Sequence, residues 1–228
     1  MIIYGKQPVL YILESNSDRV KEIFLINGKK TDQEIFKKVK KSGVTISYLD
    51  TKKAQAMARG GNHQGILANV SEVEQPDYRE VLKKSNFILL LHSITDMGNV
   101  GAIVRTAYSL GVDAVIISGV NSISCEKIIR NSSGAGFVLP IIHHSNLYDL
   151  LNEFKLGGFT TYGATLNGKD IRSSEIAEKR VLILGSESEG LPNRAVSKLD
   201  QEVTITMDRN FDSLNVSVAS AILIDRMR

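Results

Sequence analysis

With 228 residues, 43% of them apolar, and a formal net charge of +3, the chain has material for one large domain or a medium and a small one, and too much apolar content for a disordered segment. Its single cysteine, Cys125, excludes an internal disulfide framework and a cysteine-rich metal site. No apolar run approaches the roughly 20 residues of a membrane span, and Met1–Tyr4 lacks the basic start and apolar core of a secretion signal, so a cytoplasmic protein without membrane association is expected.

The front of the chain reads as a small α/β unit over residues 1–71. Val9, Leu10, Ile12 and Leu13 form a helical stripe after Pro8. Glu22–Ile26 reads as a strand closed by Asn27-Gly28. Thr31, with Glu34 three residues on, reads as the N-cap of a helix that ends before Gly43. Ile35, Phe36 and Val39 mark its inner face, while Lys37, Lys38, Lys40 and Lys41 mark the outer one. Strands follow at Val44–Leu49 and Gly65–Val70. The loop before the last of these carries Arg59, Asn62, His63 and Gln64 among glycines, which suits contact with phosphates or base edges, or equally a hinge with a surface histidine. Residues 72–84 begin with a polar, acidic stretch interrupted by Pro76 and serve as a linker.

From residue 85 the pattern changes. Phe87–Leu91 is an apolar run expected to be buried on both faces, and Val100, Ile103, Val104 and Ala107 then recur at helical spacing up to Gly111. Ala114–Ser118 completes a βαβ unit, hence a parallel pair with a right-handed crossover. Further strands are expected at Val138–Ile142, Thr160–Gly163, Val181–Leu184 and Val203–Ile205, with helices near Glu126–Asn131, Leu147–Phe154, Arg194–Leu199 and Val216–Arg228. The second domain, 85–228, is therefore an α/β domain of about six mostly parallel strands.

Charge divides along the same boundary. Residues 1–84 hold 15 Lys/Arg against 10 Asp/Glu, and residues 85–228 hold 13 against 15. A basic front on a near-neutral body fits a polyanion captured by the first part and acted on by the second; a lysine-rich solvated surface fits the same count.

Several familiar sites are absent. Gly185 and Gly190 have P-loop spacing, but Leu191-Pro192 stands where Lys-Ser/Thr is required. No Gly-x-Gly-x-x-Gly follows the strand at Phe87, there is no Gly-x-Ser-x-Gly elbow, and the four scattered histidines do not make a metal cluster. Three polar clusters remain, each after an apolar strand or at a helix start. The first is Asn99, an N-cap by type, with Arg105, which lies roughly 140° around the helix from Val100. The second is the loop Gly185–Gly190. The third is Asp212–Ser220.

In order, spacing and flanking strands, Asn99-Val100-Gly101-Ala102-Ile103-Val104-Arg105-Thr106-Ala107, then Leu182 to Leu191, then Ser213-Leu214-Asn215-Val216-Ser217-Val218-Ala219 resemble the three signature motifs of the SpoU/TrmH family of SPOUT RNA 2′-O-ribose methyltransferases. Tyr4-Gly5-Lys6-Gln7-Pro8-Val9-Leu10 and His63-Gln64-Gly65-Ile66 resemble the ends of that family's substrate-binding domain, an L30e-like fold. With both domains present, the likeness is greatest to bacterial enzymes that methylate a guanosine ribose in 23S rRNA.

The resemblance implies a C-terminal parallel-sheet SPOUT domain with a deep trefoil knot, a homodimer, and S-adenosyl-L-methionine held at the knot without a metal. It places the cofactor on Gly185, Ile205 and Leu214, with Leu184, Ser186, Gly190 and Met207 around them. It makes Arg105 the central catalytic residue, with Asn99, Glu187, Ser213, Asn215 and Ser217 completing the site. The RNA-binding candidates are those read from the residues themselves, Lys37, Lys38, Lys40 and Lys41 on the helix face and Arg59, Asn62, His63 and Gln64 in the loop. A ribose 2′-OH must lose its proton as it attacks. An arginine pKa above about 12 makes a free-base arginine rare, so Arg105 is expected to polarise the 2′-OH and grip the neighbouring phosphate. Asp96-Met97-Gly98-Asn99 departs from the proline many relatives carry after the aspartate, and the last helix is expected to be short. Alternatives are a tRNA 2′-O-methyltransferase, a small-molecule methyltransferase with no use for the basic front, and a non-catalytic RNA-binding protein that kept the fold.

Overall fold

The computed structural model describes residues 1–27, 33–209 and 213–228. Gly28, the Thr31 cap and Asp212 lie outside the described residues. In chain order the elements are β1 (Ile2–Tyr4), α1 (Lys6–Ser15), β2 (Val20–Ile26), α2 (Gln33–Lys41), β3 (Thr45–Leu49), α3 (Thr51–Met57), β4 (Ile66–Val70), α4 (Tyr78–Lys84), β5 (Phe87–His92) and α5 (Met97–Ser109). They continue with β6 (Ala114–Ser118), α6 (Cys125–Asn131), β7 (Ile141–His143), α7 (Leu147–Leu156), β8 (Thr160–Asp170), β9 (Arg180–Leu184), α8 (Asn193–Val196), β10 (Gln201–Thr204) and α9 (Val216–Met227).

The first compact unit is Met1–Glu74 together with Ser124–Val138. Among the described residues its sheet runs β1-β4-β2-β3, with β2 and β3 parallel and β4 antiparallel to its neighbours. Alternation along β2 builds a core on each face. Ile23 and Leu25 meet Val9 and Ile12 of α1 and Ile35 and Val39 of α2. Phe24 and Ile26 turn the other way, toward Ala54 of α3 and Ala58 just beyond it. Ile129 of α6 and Phe137 of the turn that follows are buried in the first of these cores, and the Arg19 guanidinium lies 4.9 Å over the Phe137 ring. This is why fifteen residues expected in the second domain belong to the first unit.

The second unit is Gln75–Ile123 with Leu139–Arg228. Among the described residues its six strands are all parallel, in the order β10-β8-β9-β5-β6-β7. Phe87–Leu91 is buried throughout, as expected for a strand covered on both faces. The chain lays down β5, β6 and β7 in one direction, then crosses to β8 and inserts β9 between β8 and β5. The reversal of strand order therefore falls between β5 and β9, where open α/β sheets place their ligands. Leu82 of α4, Leu150 and Phe154 of α7, and Ala195 of α8 share one core with Ile88, Leu90, Val181 and Ile183.

Details differ from the sequence expectations. Part of the expected linker is α4, capped by Asp77, which accepts from the Arg79 and Glu80 amides, and anchored by buried Leu82. The strand expected at 138–142 is Ile141–His143, because a 3-10 turn occupies Ala135–Phe137. Thr160–Asp170 is longer than expected, and the three-residue β1 gave no periodic signal. No helix among the described residues is long and apolar enough to cross a membrane.

Candidate active site

Leu91 of β5 pairs with Leu184 of β9, so the loops leaving these two strands open side by side at the carboxyl rim of the sheet. The loop after β5 leads into α5. Its N-cap is Asp96, whose carboxylate accepts from the Asn99 amide at 2.7 Å, and not Asn99 as expected. Both residue types cap helices; the start lies further upstream because Met97-Gly98 is already helical. Asn99 thus sits in the first turn with its side-chain amide free of capping duty.

The loop after β9 is a tight turn. The Gly190 amide donates to the Ser186 carbonyl at 2.9 Å and the Glu189 amide to Ser186 Oγ at 3.2 Å. Gly190 has φ +65°, and a Cβ at Gly185 would lie within 2.6 Å of the Leu191 nitrogen and closer still to the Gly190 carbonyl group. Only glycine permits that backbone approach.

At the start of α9, Asn215 is the N-cap, its Oδ1 accepting from the Ser217 amide at 3.0 Å and from the Ser217 hydroxyl. Its Nδ2 donates to Glu187 Oε1 at 2.8 Å and to Asn99 Oδ1 at 3.2 Å. Asn99 Nδ2 and the Val216 amide also donate to that Glu187 oxygen, at 3.4 and 3.1 Å. One carboxylate oxygen therefore joins all three polar clusters, seated on the amino end of α9, where a negative charge is favoured. The Val216 amide gave no sequence signal, since any residue there supplies one.

Arg105 lies on the exposed side of α5. It is about 120° around the helix from Asn99 and projects from a different sector. Ser213 is exposed, two residues before Asn215. Leu184 is buried at the end of β9, and Ser186 and Gly190 close the turn as a β-bridge. Ile205, Met207 and Leu214 are half-buried, between the end of β10 and the start of α9. Apolar side chains beside loop main-chain polar groups suit an adenine-bearing cofactor. No group of three or more His, Cys, Asp or Glu among the described residues could hold a metal ion.

In the first unit, Lys37, Lys40 and Lys41 are exposed on α2. Lys38 is spent in part on Glu14 at 2.9 Å, a contact that raises its pKa. Arg59 stands 3.6 Å from Glu126 of α6. The structure corrects the surface role expected of His63, which is 5% exposed and accepts from the Gly65 amide through Nδ1 at 3.1 Å. Asn62 accepts from the Gln64 amide at 3.2 Å, and Gln64 Oε1 accepts from the Lys6 amide at 2.9 Å. The loop's polar side chains thus join the first and last motifs of the unit. Sequence reasoning missed Arg130, which donates to the Tyr4 hydroxyl with its guanidinium 4.9 Å over the ring.

Two family models match the chain: "SpoU rRNA Methylase family" over residues 86–225 and "RNA 2′-O ribose methyltransferase substrate binding" over residues 2–76. The 23S rRNA (guanosine-2′-O-)-methyltransferase RlmB of Haemophilus ducreyi is 30% identical, over 97% of this chain and 94% of that protein. Its namesake in Neisseria meningitidis is 28% identical over 99% and 94%. Among solved structures, the AdoMet-bound rRNA methyltransferase from Sinorhizobium meliloti superposes with a TM-score of 0.79 at 22% identity, covering 100% of this chain and 86% of that one. The SpoU methyltransferase AviRb from Streptomyces viridochromogenes gives 0.81 at 18% identity over 100% and 88%. These two likenesses establish the fold.

Proposed function

Because the chain belongs to the SpoU rRNA methylase family, we propose that it methylates a ribose 2′-OH in structured RNA with S-adenosyl-L-methionine as donor, and that its target is a guanosine of 23S rRNA. The architecture is the two-domain one of that family, a substrate-binding unit and a parallel-sheet SPOUT methylase domain, consistent with a knotted chain. The observation that carries the catalytic reading is the junction on Glu187, to which Asn99, Asn215 and Val216 all donate. The RlmB relatives, matched over nearly their whole length, favour 23S rRNA as the target.

When bound, the cofactor supplies an activated methyl group on a sulfonium, which leaves the protein to bind, align and manage one proton. Gly185, Ile205 and Leu214 would hold the adenine-bearing cofactor, with Leu184, Ser186, Gly190 and Met207 around them. Arg105 polarises the 2′-OH and holds the adjoining phosphate, a task for a fixed, permanently charged fork. Among the described residues the donors to Glu187 converge on Oε1, and its other oxygen is the one to accept an arginine or the departing proton. Asn99 and Asn215 keep that carboxylate from rotating, Ser217 orients Asn215, and Ser213 lines the pocket. Lys37, Lys38, Lys40 and Lys41 of α2, and separately Arg59 and Asn62 in the loop after α3, attract the RNA backbone. The protein works as a cytoplasmic homodimer.

Mapping 2′-O-methyl groups in RNA from cells lacking the protein tests this reading. Loss of one guanosine methyl from 23S rRNA supports it, loss from tRNA alone overturns the rRNA target, and an unchanged map overturns the assignment.

A further inference from the structure

A row of aromatic rings and guanidinium groups lies on the second unit, outside the junction described above. Tyr78 begins α4, His144 follows β7, Tyr148 lies in the first turn of α7, and Arg194 lies in α8. The Tyr78 and His144 rings meet edge to face at 5.2 Å. The Arg79 guanidinium stands 5.5 Å from the Tyr78 ring, its Nε donates to the Tyr78 hydroxyl at 3.0 Å, and Glu153 of α7 holds it at 3.8 Å. The Arg194 guanidinium stacks 4.9 Å over the Tyr148 ring, and no carboxylate pairs with it among the described residues.

The topology puts these groups on the carboxyl rim of the sheet. β7, β6, β5 and β9 run parallel as neighbours, with His143 beside Ile117, His92 beside Ser118 and Leu91 beside Leu184. His144 leaves β7 at that rim, α7 starts there, and Arg194 is four residues beyond the Ser186–Gly190 turn. From β9 to β7 is three strand spacings, roughly 14 Å. The rings are half-buried on the shared core of α4, α7 and α8, so they are fixed in orientation, while both guanidinium groups are exposed.

We propose that this strip of Tyr78, Arg79, His144, Tyr148 and Arg194 is a second RNA-binding surface, which stacks unpaired bases flanking the target nucleotide and holds their phosphates. It rests on the RNA-methylating function proposed above. A guanidinium laid on a tyrosine offers its other face to a base and its edge to a phosphate, a combination that suits unpaired nucleotides whatever their sequence. A target 2′-OH has to be brought to the rim in a strand whose neighbours are splayed from a helix, and an anchor on that rim fixes its direction.

The test uses the full chain, an rRNA fragment carrying the target, and a generic single-stranded RNA oligonucleotide. Arg79→Gln with Arg194→Gln removes two exposed charges without touching the core, and Tyr148→Leu keeps the packing while removing the ring. The expected result is a rise in KM for the rRNA fragment of at least fivefold in each variant, with kcat, cofactor Kd and melting temperature unchanged. Oligonucleotide affinity falls alongside, and the salt slope of the arginine variant is shallower by about one unit. Unchanged RNA affinity and salt slope in the folded variants overturn the proposal. So does a changed oligomeric state with RNA affinity unmoved, which assigns the strip to a protein contact. If the wild type binds the oligonucleotide through these residues but methylates no RNA, the strip stands and the proposed function falls.

Discussion

Asn215 donates from Nδ2 to Oε1 of Glu187 at 2.8 Å while its own Oδ1 accepts from the Ser217 amide, so one side chain both caps α9 and aims a carboxylate. Stability and activity are coupled at this residue but separable by choice of substitution. Asn215→Ala loses a cap worth about 1 kcal/mol and is expected to melt earlier and to lose methyl transfer at least tenfold. Asn215→Asp keeps the capping oxygen but sets a second carboxylate against Glu187. It is expected to melt near the wild type and to lose as much activity as the alanine variant. Thermal melting and turnover on the same preparations check both outcomes.

Arg105 is exposed on α5 and is assigned to substrate, so its removal is expected to spare the fold. Arg105→Ala abolishes methyl transfer and leaves cofactor affinity by calorimetry unchanged. Arg105→Lys keeps the charge but not the fork, and is expected to recover little. Full activity in the alanine variant would sink the assignment.

At Gly185 the Leu191 nitrogen stands 2.6 Å from where a Cβ would be. Gly185→Ala therefore forces two backbone segments apart, at a cost on the order of 1–3 kcal/mol typical of overpacking. The expected signature is a lowered melting temperature together with weaker cofactor binding. The same change at Gly158, where no atom lies within 4 Å but φ is +75°, carries only the roughly 1–2 kcal/mol of left-handed backbone strain and is expected to leave cofactor binding unchanged.

Buried His63 and the exposed lysines of α2 are expected to respond oppositely. His63→Ala leaves the Gly65 amide without its acceptor and lowers stability by roughly 1–3 kcal/mol. Replacing Lys37, Lys40 and Lys41 by glutamate leaves the melting temperature nearly unchanged, weakens RNA binding and flattens its salt dependence. An unchanged salt slope would make that helix face solvated surface only.

His92 is half-buried, with Nδ1 2.9 Å from Ser118 Oγ, and burial pushes its pKa below the ordinary 6.5. Above 6.5 the imidazole is neutral in folded and unfolded chains alike, and its contribution to stability is fully present. As the pH falls below that value the unfolded chain binds the proton first, so stability declines toward the folded-state pKa. The fall in melting temperature on acidification is expected to be smaller in His92→Asn than in the wild type.

Where sequence and structure diverge, the missing information was short or distant. Strongly apolar runs such as Phe87–Leu91 and Val181–Leu184 announce a buried parallel sheet, and the loop that follows each announces a site. The choice between Asp96 and Asn99 as a cap was not legible, because both types cap and the apolar stripe begins only at Val100. α4 has one deeply buried residue, Leu82, too few for a period to show. His63 reads as a loop residue because its neighbours Asn62, Gln64 and the glycines are polar or small, and nothing in that stretch marks it as buried. Nothing local reveals that Ile129 and Phe137 complete the core around Val9 and Ile12.

That last feature bears on how the chain comes to exist. Because Ser124–Val138 is part of the first compact unit, the unit is not finished when the ribosome has passed residue 74; its last core side chains emerge some sixty residues later. A protein cut in the stretch that resembles a linker would not yield two free modules. It would yield a front half with a gap where two apolar side chains belong, and a back half displaying them to water. The two halves of the sequence are therefore obliged to mature together, and an insertion between β6 and β7 would be felt first in the core of the first unit.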